Sequence, residues 1–369
     1  MNNTLFFSII IPVYNGLTHD LPVCLNSIWD QSLDKELYEV ICVDDCSTDG
    51  TRQWLKEQRE AHPNLQVIEN QENIRQGGSR NRGVKAAKGK YILFIDQDDY
   101  YHKGGIDKVY EHLKENELDI LVTDSAYQFK GYEHNNLQLN LKYTDITDCE
   151  GYVKRNGWTI APWRLCFNRE FYNRTGVKFE ENCRIEDVDW SVNLFFYAKR
   201  VQYQPILLIH YIKAESGTTD NMYRNKEILI ANTMAGNRTL RLGYELYKNS
   251  AIKSNVIDLA DSYYNYTCKY LFGLFCSLKG KKEIINLIEN KESKYRLVRY
   301  AIKYPTLYAI FTNCMVPLFR IPLELRDRLP IICDEYGILA IPFVAIRDGA
   351  KAPIEFSESK KTKITVCMR

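Results

Sequence analysis

The sequence predicts an α/β fold: a parallel sheet with crossover helices, followed by a mainly helical C-terminal region. Three observations lead there. Short apolar runs alternate with helix-spaced patterns through the first third of the chain, each apolar run ends in polar residues, and helical spacing takes over from about residue 225. A length of 369 residues suits about two domains.

Taken in order, strands are expected at residues 6–11, 39–43, 65–69, 91–95 and 119–123. Between them, Leu21, Leu25, Ile28 and Trp29 recur at helical spacing, a helix is expected at 51–60 after a turn, and another at 79–87 after two glycines. Residues 125–143 alternate and are polar, as strands at a sheet edge would be. The stretch 158–201 mixes aromatics with charges and closes in a helix at 187–197, and a strand follows at 201–212. Residues 215–220 have loop chemistry, which sets a domain boundary dividing 1–217 from 218–369. Beyond it, helices are expected at 225–246, 254–278 and 282–302, and the tail 351–369 reads as frayed. There is no internal repeat.

Composition narrows the class. A formal charge of +2 lacks the concentrated basic face that a polyanion requires, which excludes a nucleic-acid partner. Eleven cysteines with no C-x-x-C pair suggest neither a disulfide framework nor a zinc site, and reduced thiols suit a cytoplasmic location. The N-terminus has no basic n-region and enters a strand pattern at once, so no signal peptide is read. The nearest candidate for a membrane span, 304–319, is free of charges but shorter than a span and carries two prolines as well as Asn313 and Thr312, which favours a buried or interfacial segment.

In open parallel sheets, ligands bind beyond the carboxyl ends of the strands, so the polar strand ends are where chemistry is sought. The second strand runs into Asp44-Asp45-Cys46-Ser47-Thr48-Asp49-Gly50, whose carboxylates would accept hydrogen bonds from a base and would equally serve as a helix cap. The fourth runs into Asp96-Gln97-Asp98-Asp99. Residues two apart on an extended chain point the same way, so Asp96 and Asp98 offer paired hard oxygens of the kind Mg²⁺ or Mn²⁺ accepts. Between the two lies Gln76-Gly77-Gly78-Ser79-Arg80-Asn81-Arg82-Gly83 at a helix start, suited to an anion or to bracing the acidic cluster through Arg80 or Arg82. It is not a P-loop, because Val84-Lys85-Ala86 replaces the required Gly-Lys-Ser/Thr, and no G-x-G-x-x-G follows the first strand. Further on, Glu186-Asp187-Val188-Asp189-Trp190 opens a helix. Asp187 is the candidate general base for a hydroxyl, and a capping role for the three acids is the alternative.

Set in order, these segments resemble the family 2 glycosyltransferases of the GT-A fold, over roughly residues 6–217. The matching pieces are Ser8-Ile9-Ile10-Ile11-Pro12-Val13-Tyr14-Asn15, the Asp44 to Thr51 turn, Gly78-Ser79-Arg80-Asn81-Arg82-Gly83, Asp96-Gln97-Asp98-Asp99, and Glu186-Asp187 with Trp190. The resemblance implies a Rossmann-like GT-A domain and an inverting, metal-dependent, hexosyltransferase-like enzyme. Such an enzyme moves a sugar from a nucleotide-sugar donor of the UDP type to a hydroxyl of a glycan or lipid-linked acceptor in surface polysaccharide synthesis. It implies that Pro12, Tyr14 and Asp45 border the nucleobase, Arg80 lies by the diphosphate and Asp45, and Asp96 lies by the sugar or ribose. Asp98 would contact Mg²⁺ or Mn²⁺, and Asp187 would be the general base with Glu186 supporting a sugar. Where members close a basic strand end over the diphosphate, this chain has Lys213 for the donor and His210 beside the metal, although a histidine between Ile209 and Tyr211 also suits a core. Trp163 falls where acceptor contacts are found, or in the core. Two other classes share parts of the pattern: a binding module without transfer activity, and a sugar nucleotidyltransferase, whose glycine-rich basic signature by the first strand is missing. The last 150 residues lie outside the resemblance. Their aromatic and basic stretches, such as 294–300, would suit peripheral contact with the inner membrane face, a homo-oligomer interface or a lid.

Overall fold

The structure, a computed structural model, describes residues 5–129, 136–138, 145–213, 225–247, 253–271 and 277–318. The expected loop at 215–220, the tail at 351–369 and much of the edge region at 125–143 lie outside these.

Strands β1 (Phe7–Val13), β2 (Tyr38–Asp44) and β3 (Leu65–Glu69) lie parallel, with β4 (Tyr91–Phe94) parallel to β1 on its other side. The crossovers are α1 (Leu21–Trp29), α2 (Thr51–Ala61) and α3 (Arg75–Ala86). β1 and β2 are buried along their whole length because helices cover both faces of the sheet, so apolar residues fill alternate positions on each face. On one face Phe7, Ile9, Ile11, Val40, Cys42 and Leu93 pack with Leu21, Leu25 and Ile28 of α1. On the other, Ile10, Ile41, Val43, Ile92 and Phe94 pack with Val84 of α3 and Trp190. Pro12 is tolerated inside β1 because the β1–β4 ladder ends at the Ile10–Phe94 pair, so its missing N–H costs no bond.

The chain continues through β5 (Tyr100–Tyr101), α4 (Gly105–Glu115), β6 (Ile120–Phe129), β7 (Asn136–Gln138), α5 (Cys149–Asn156), β8 (Leu165–Asn168), α6 (Arg169–Thr175), α7 (Asp187–Tyr197) and β9 (Val201–Lys213). The sheet order is β3-β2-β1-β4-β8-β6-β9-β5, with β7 on β6. The five expected strands all run in one direction, but an unexpected strand enters among them. The fifth expected strand, now β6, is separated from β4 by β8, which runs antiparallel to both. β8 is only four residues, LCFN, within an aromatic-rich stretch, and its partners lie tens of residues away, so no local period marks it.

After β9 come α8 (Lys226–Tyr247), α9 (Lys253–Tyr270), α10 (Leu278–Asn286), α11 (Arg296–Lys303) and α12 (Pro305–Leu318). The single helix expected at 282–302 is broken into α10 and α11. In the break, buried Asp261 accepts hydrogen bonds from Asn290 Nδ2 (2.5 Å) and the Lys294 backbone N–H (2.9 Å), which draws the chain out of helical pairing. α12 starts at a proline, whose fixed φ suits the first helical position. Among the described residues, no helix is long and apolar enough to cross a membrane. The described residues group into two compact units, drawn from Met1–Asp220 with Met234–Ala260 and from Asn221–Thr233 with Asp261–Arg369.

Candidate active site

Strand parity aims the acids. Ile92 and Phe94 of β4 face the α3 side, and two residues further Asp96 keeps that direction and meets Arg80 of α3. In β2 the odd positions Ile41 and Val43 face α3, so Asp45 turns towards it while Asp44 turns towards α2. Asp44 accordingly binds Arg52 Nε (2.5 Å) and accepts from the Ser47 N–H, and Asp49 caps α2 by accepting from the Thr51 N–H (3.1 Å). The two readings of this acidic turn therefore divide between its members.

Arg80 is the hub. It is 2% exposed, and it donates through Nη2 to Asp96 Oδ1 (2.6 Å) and through Nη1 to Glu186 Oε1 (2.7 Å), joining the end of β4 to the start of α7. Its guanidinium lies 5.9 Å from the Phe94 ring centroid and 5.4 Å from that of Phe179. Trp190 stacks on Phe179 at 4.2 Å and donates its indole N–H to Tyr172, so the floor under Arg80 is a packed aromatic layer. Burial disfavours the charge on Arg80, yet Asp96 and Glu186 outweigh it and hold the group above its ordinary pKa. The ion pairs of Arg80 are with Asp96 and Glu186, while the preceding residue Ser79 shares Asn70 Nδ2 with Asp45. α3 approaches this closely because of its glycines. A Cβ on Gly77 would stand 2.5 Å from the Glu180 carbonyl oxygen and 3.0 Å from Glu186 Cγ, and one on Gly83 would stand 2.4 Å from Ile10 Cγ2.

Glu186 precedes α7 without a side-chain capping bond, so the capping alternative fails for it. Asp187 is the first residue of α7. Burial, then the neighbouring Glu186, push its carboxyl up to about 7, against the opposing pull of Arg80. Asp189, buried one step further, is held by Arg238 of α8 through two hydrogen bonds (2.6 and 3.1 Å). At the end of β4, Asp98 is half-buried and raised to about 6 by burial and by Asp96. Among the described residues no ion pair reaches it. Asp99 is fully buried and accepts from the Ile212 N–H (2.8 Å), which ties this turn to β9.

The remaining expected residues are placed as follows. Asp45 is buried; its Oδ1 accepts from Asn70 Nδ2 (2.7 Å) and from the Ile74 N–H at the start of α3 (2.9 Å). Tyr14 is 46% exposed, and both its backbone groups are bonded by the Gln97 amide at 2.9 Å each, which clamps the end of β1 to the acidic turn. Pro12 is buried within β1. Trp163 is in the core, stacked on Tyr211 at 5.4 Å. His210 shares a 3.0 Å hydrogen bond with His102 and stacks on Tyr100 at 4.6 Å, and burial and His102 lower its pKa. Lys213 ends β9, and its side chain lies outside the described residues. Sequence reasoning missed Gln97, Asn70 and Arg238, single polar residues whose partners are fixed only by the folded chain. Among the described residues, no three His, Cys, Asp or Glu side chains gather closely enough to hold a metal ion by themselves.

Residues 8–176 match the family described as Glycosyl transferase family 2. The chain is 32% identical over 213 residues to the poly(ribitol-phosphate) beta-glucosyltransferase of Bacillus spizizenii, covering 57% of this chain and 32% of that protein. It is 37% identical over 197 residues to the poly(ribitol-phosphate) beta-N-acetylglucosaminyltransferase TarS of Staphylococcus aureus, covering 53% of this chain and 33% of that protein. It thus spans about a third of the length of these two relatives. The fold is GT-A, similar to the crystal structure of S. aureus TarS 1-349 in complex with UDP-GlcNAc, with a TM-score of 0.65 at 20% identity over 85% of this chain and 90% of that one.

Proposed function

We propose that the chain, whose residues 8–176 match glycosyl transferase family 2, transfers a sugar, with inversion, from a UDP-type donor to a hydroxyl of a surface-glycan or polyol-phosphate acceptor. One observation carries this reading. Arg80 draws Asp96 and Glu186 together from segments 90 residues apart in sequence and so sets Asp187 beside them. Two relatives named for adding sugars to poly(ribitol-phosphate) support the acceptor class.

In this reading Asp187 accepts the proton of the attacking hydroxyl. A carboxyl raised to about 7 matches that task, since a large share of it is ionised near neutral pH and it is basic enough to take the proton. Arg80 holds Glu186 and Asp96 so that both keep their oxygens aimed at the sugar side. Asp45, anchored through Oδ1 to Asn70 and α3, has its second oxygen for the base's N–H, and Gln97 holds the Tyr14 backbone at the pocket's edge. Lys213 is assigned to the donor's diphosphate. Asp98 fits a divalent cation: it is a hard oxygen donor whose charge burial and Asp96 disfavour, and a nearby cation would relieve both. Mg²⁺ or Mn²⁺ there would supply charge neutralisation to the leaving diphosphate. His210 is already engaged by His102, so the metal contact is assigned to Asp98. The catalytic part is taken as residues 1–217 and the helical region as 218–369.

The test is release of UDP from UDP-sugars in the presence of poly(ribitol-phosphate) or glycan acceptors, with Mg²⁺ or Mn²⁺ present. Acceptor-dependent UDP release is expected. UDP binding without release from any donor and acceptor pair would leave a binding module instead.

A further inference from the structure

We infer that Arg238, on a helix beyond the matched residues 8–176, is a positioning residue for the proposed base Asp187. The inference rests on the reading of Asp187 given above and extends it to α8; both Asp187 and Arg238 lie beyond residues 8–176.

The argument starts from charge. The first turn of α7 carries Asp187 and Asp189 and follows Glu186, with no basic residue in the turn. A helix N-terminus favours nearby negative charge, but three carboxylates this close repel one another in a buried setting. Two arginines from other elements answer them. Arg80 of α3 takes Glu186 and, with its other nitrogen, Asp96. Arg238 of α8 takes Asp189 with both prongs, Nε to Oδ2 at 2.6 Å and Nη2 to Oδ1 at 3.1 Å, and its Nε lies 3.9 Å from Glu180. Among the described residues no ion pair is made by Asp187, so burial and Glu186 raise its carboxyl against the pull of Arg80 alone.

The geometry is directional as well. A planar guanidinium bound by two parallel hydrogen bonds fixes the orientation of a carboxylate, which a single point charge does not. Asp189 is 5% exposed and cannot turn to water if Arg238 is lost. With Trp190 stacked on Phe179 beneath the next position, the turn is held from two sides: by aromatic packing below and by Arg238 above. Residues Met234–Ala260 of α8 and beyond group with the N-terminal unit, so this contact lies within one compact unit. The charged and titratable groups around the turn are Asp189 on α7, Glu180, Cys183 and Glu186 before it, Arg80 on α3, Asp96 after β4, and Arg238 on α8.

The test uses the full chain with R238M, R238K and D189N, each read for kcat, donor KM, the acid limb of the kcat–pH profile and Tm. In R238M, loss of the cation exposes Asp187 to the charge of Asp189 and frees the turn. We expect kcat to fall by about tenfold or more, as for a base displaced by a fraction of an ångström to an ångström, donor KM to stay near wild type, and the acid limb to move to higher pH. R238K should recover part of kcat, and D189N should move the acid limb the opposite way because it removes a negative charge and leaves the positive one. A folded R238M with unchanged kcat and acid limb overturns the inference, as does a loss of Tm alone. If R238M does not fold, a folded D189N with unchanged kcat and acid limb overturns it equally. D187N run alongside separates the two ideas: near-normal turnover there removes the base reading itself, whatever Arg238 does.

Discussion

Replacing Asp187 by Asn tests chemistry and stability at once. Asp187 ordinarily would lose its proton near 3.8, but burial and Glu186 move it to about 7 in the folded chain. The folded state therefore holds a proton that the unfolded state has already lost, and stability falls as pH rises from about 4 to about 7, with the full penalty present above that. A displacement of that size corresponds to about 4 kcal/mol. Solvent screening at a half-buried group and the favourable helix N-terminus, which Asn forfeits, reduce the gain expected on substitution to about 1–2 kcal/mol. The titration is shared with Glu186, so the midpoint belongs to the pair. For a unit of this size the gain is about 2–8 °C in Tm. Thermal melts of D187N and wild type from pH 4 to 9 should start together, separate in favour of D187N through the window, and stay parallel above about pH 7. Turnover of D187N should fall by about 10² or more, the range for a lost proton acceptor, with UDP binding retained. Equal melts across that range would refute the burial argument, and turnover within a few-fold of wild type would refute the catalytic one.

Three further outcomes follow from the site. Arg80→Met leaves Asp96 and Glu186 without their buried partner, so it should lower stability by about 3–5 kcal/mol in denaturant melts and abolish turnover. Gly77→Ala places a Cβ against the Glu180 carbonyl and Glu186 Cγ, and should cost about 1–3 kcal/mol and lower kcat in steady-state assays as Glu186 is pushed aside. With UDP present, Mn²⁺ should raise the wild-type Tm through binding to the folded state, and Asp98→Asn should lose that increment while keeping the shift due to UDP alone; an unchanged Mn²⁺ increment would remove Asp98 from the metal site.

Local chemistry made much of the protein readable. The buried strands β1, β2 and β4 announce themselves as apolar runs closing in polar residues, and α7 was legible to the residue because its aromatic and acidic pattern starts and stops sharply. The strand parity that aims Asp96 at α3 also follows from chain geometry alone. By contrast, β8 enters the sheet between β4 and β6 as four residues with no periodic signature, and the break between α10 and α11 depends on Asp261 from another helix. The partners of Arg80 belong to the same class. Spacing suggested an anion or an acidic brace, and only the packing of α3 against α7 selected Glu186, 106 residues away.

What the residues determined unaided was therefore the alternation of elements, the acidic strand ends and the candidate base, since these rest on periodicity and on the chemistry of neighbours in sequence. What the tertiary structure decided was how charge is shared: Arg80 for Glu186 and Asp96, Arg238 for Asp189 and, among the described residues, no ion pair for Asp187. The physical reason is that an ion pair's strength depends on distance and burial, and both are set by which helix packs on which strand, information that no stretch of neighbouring residues carries.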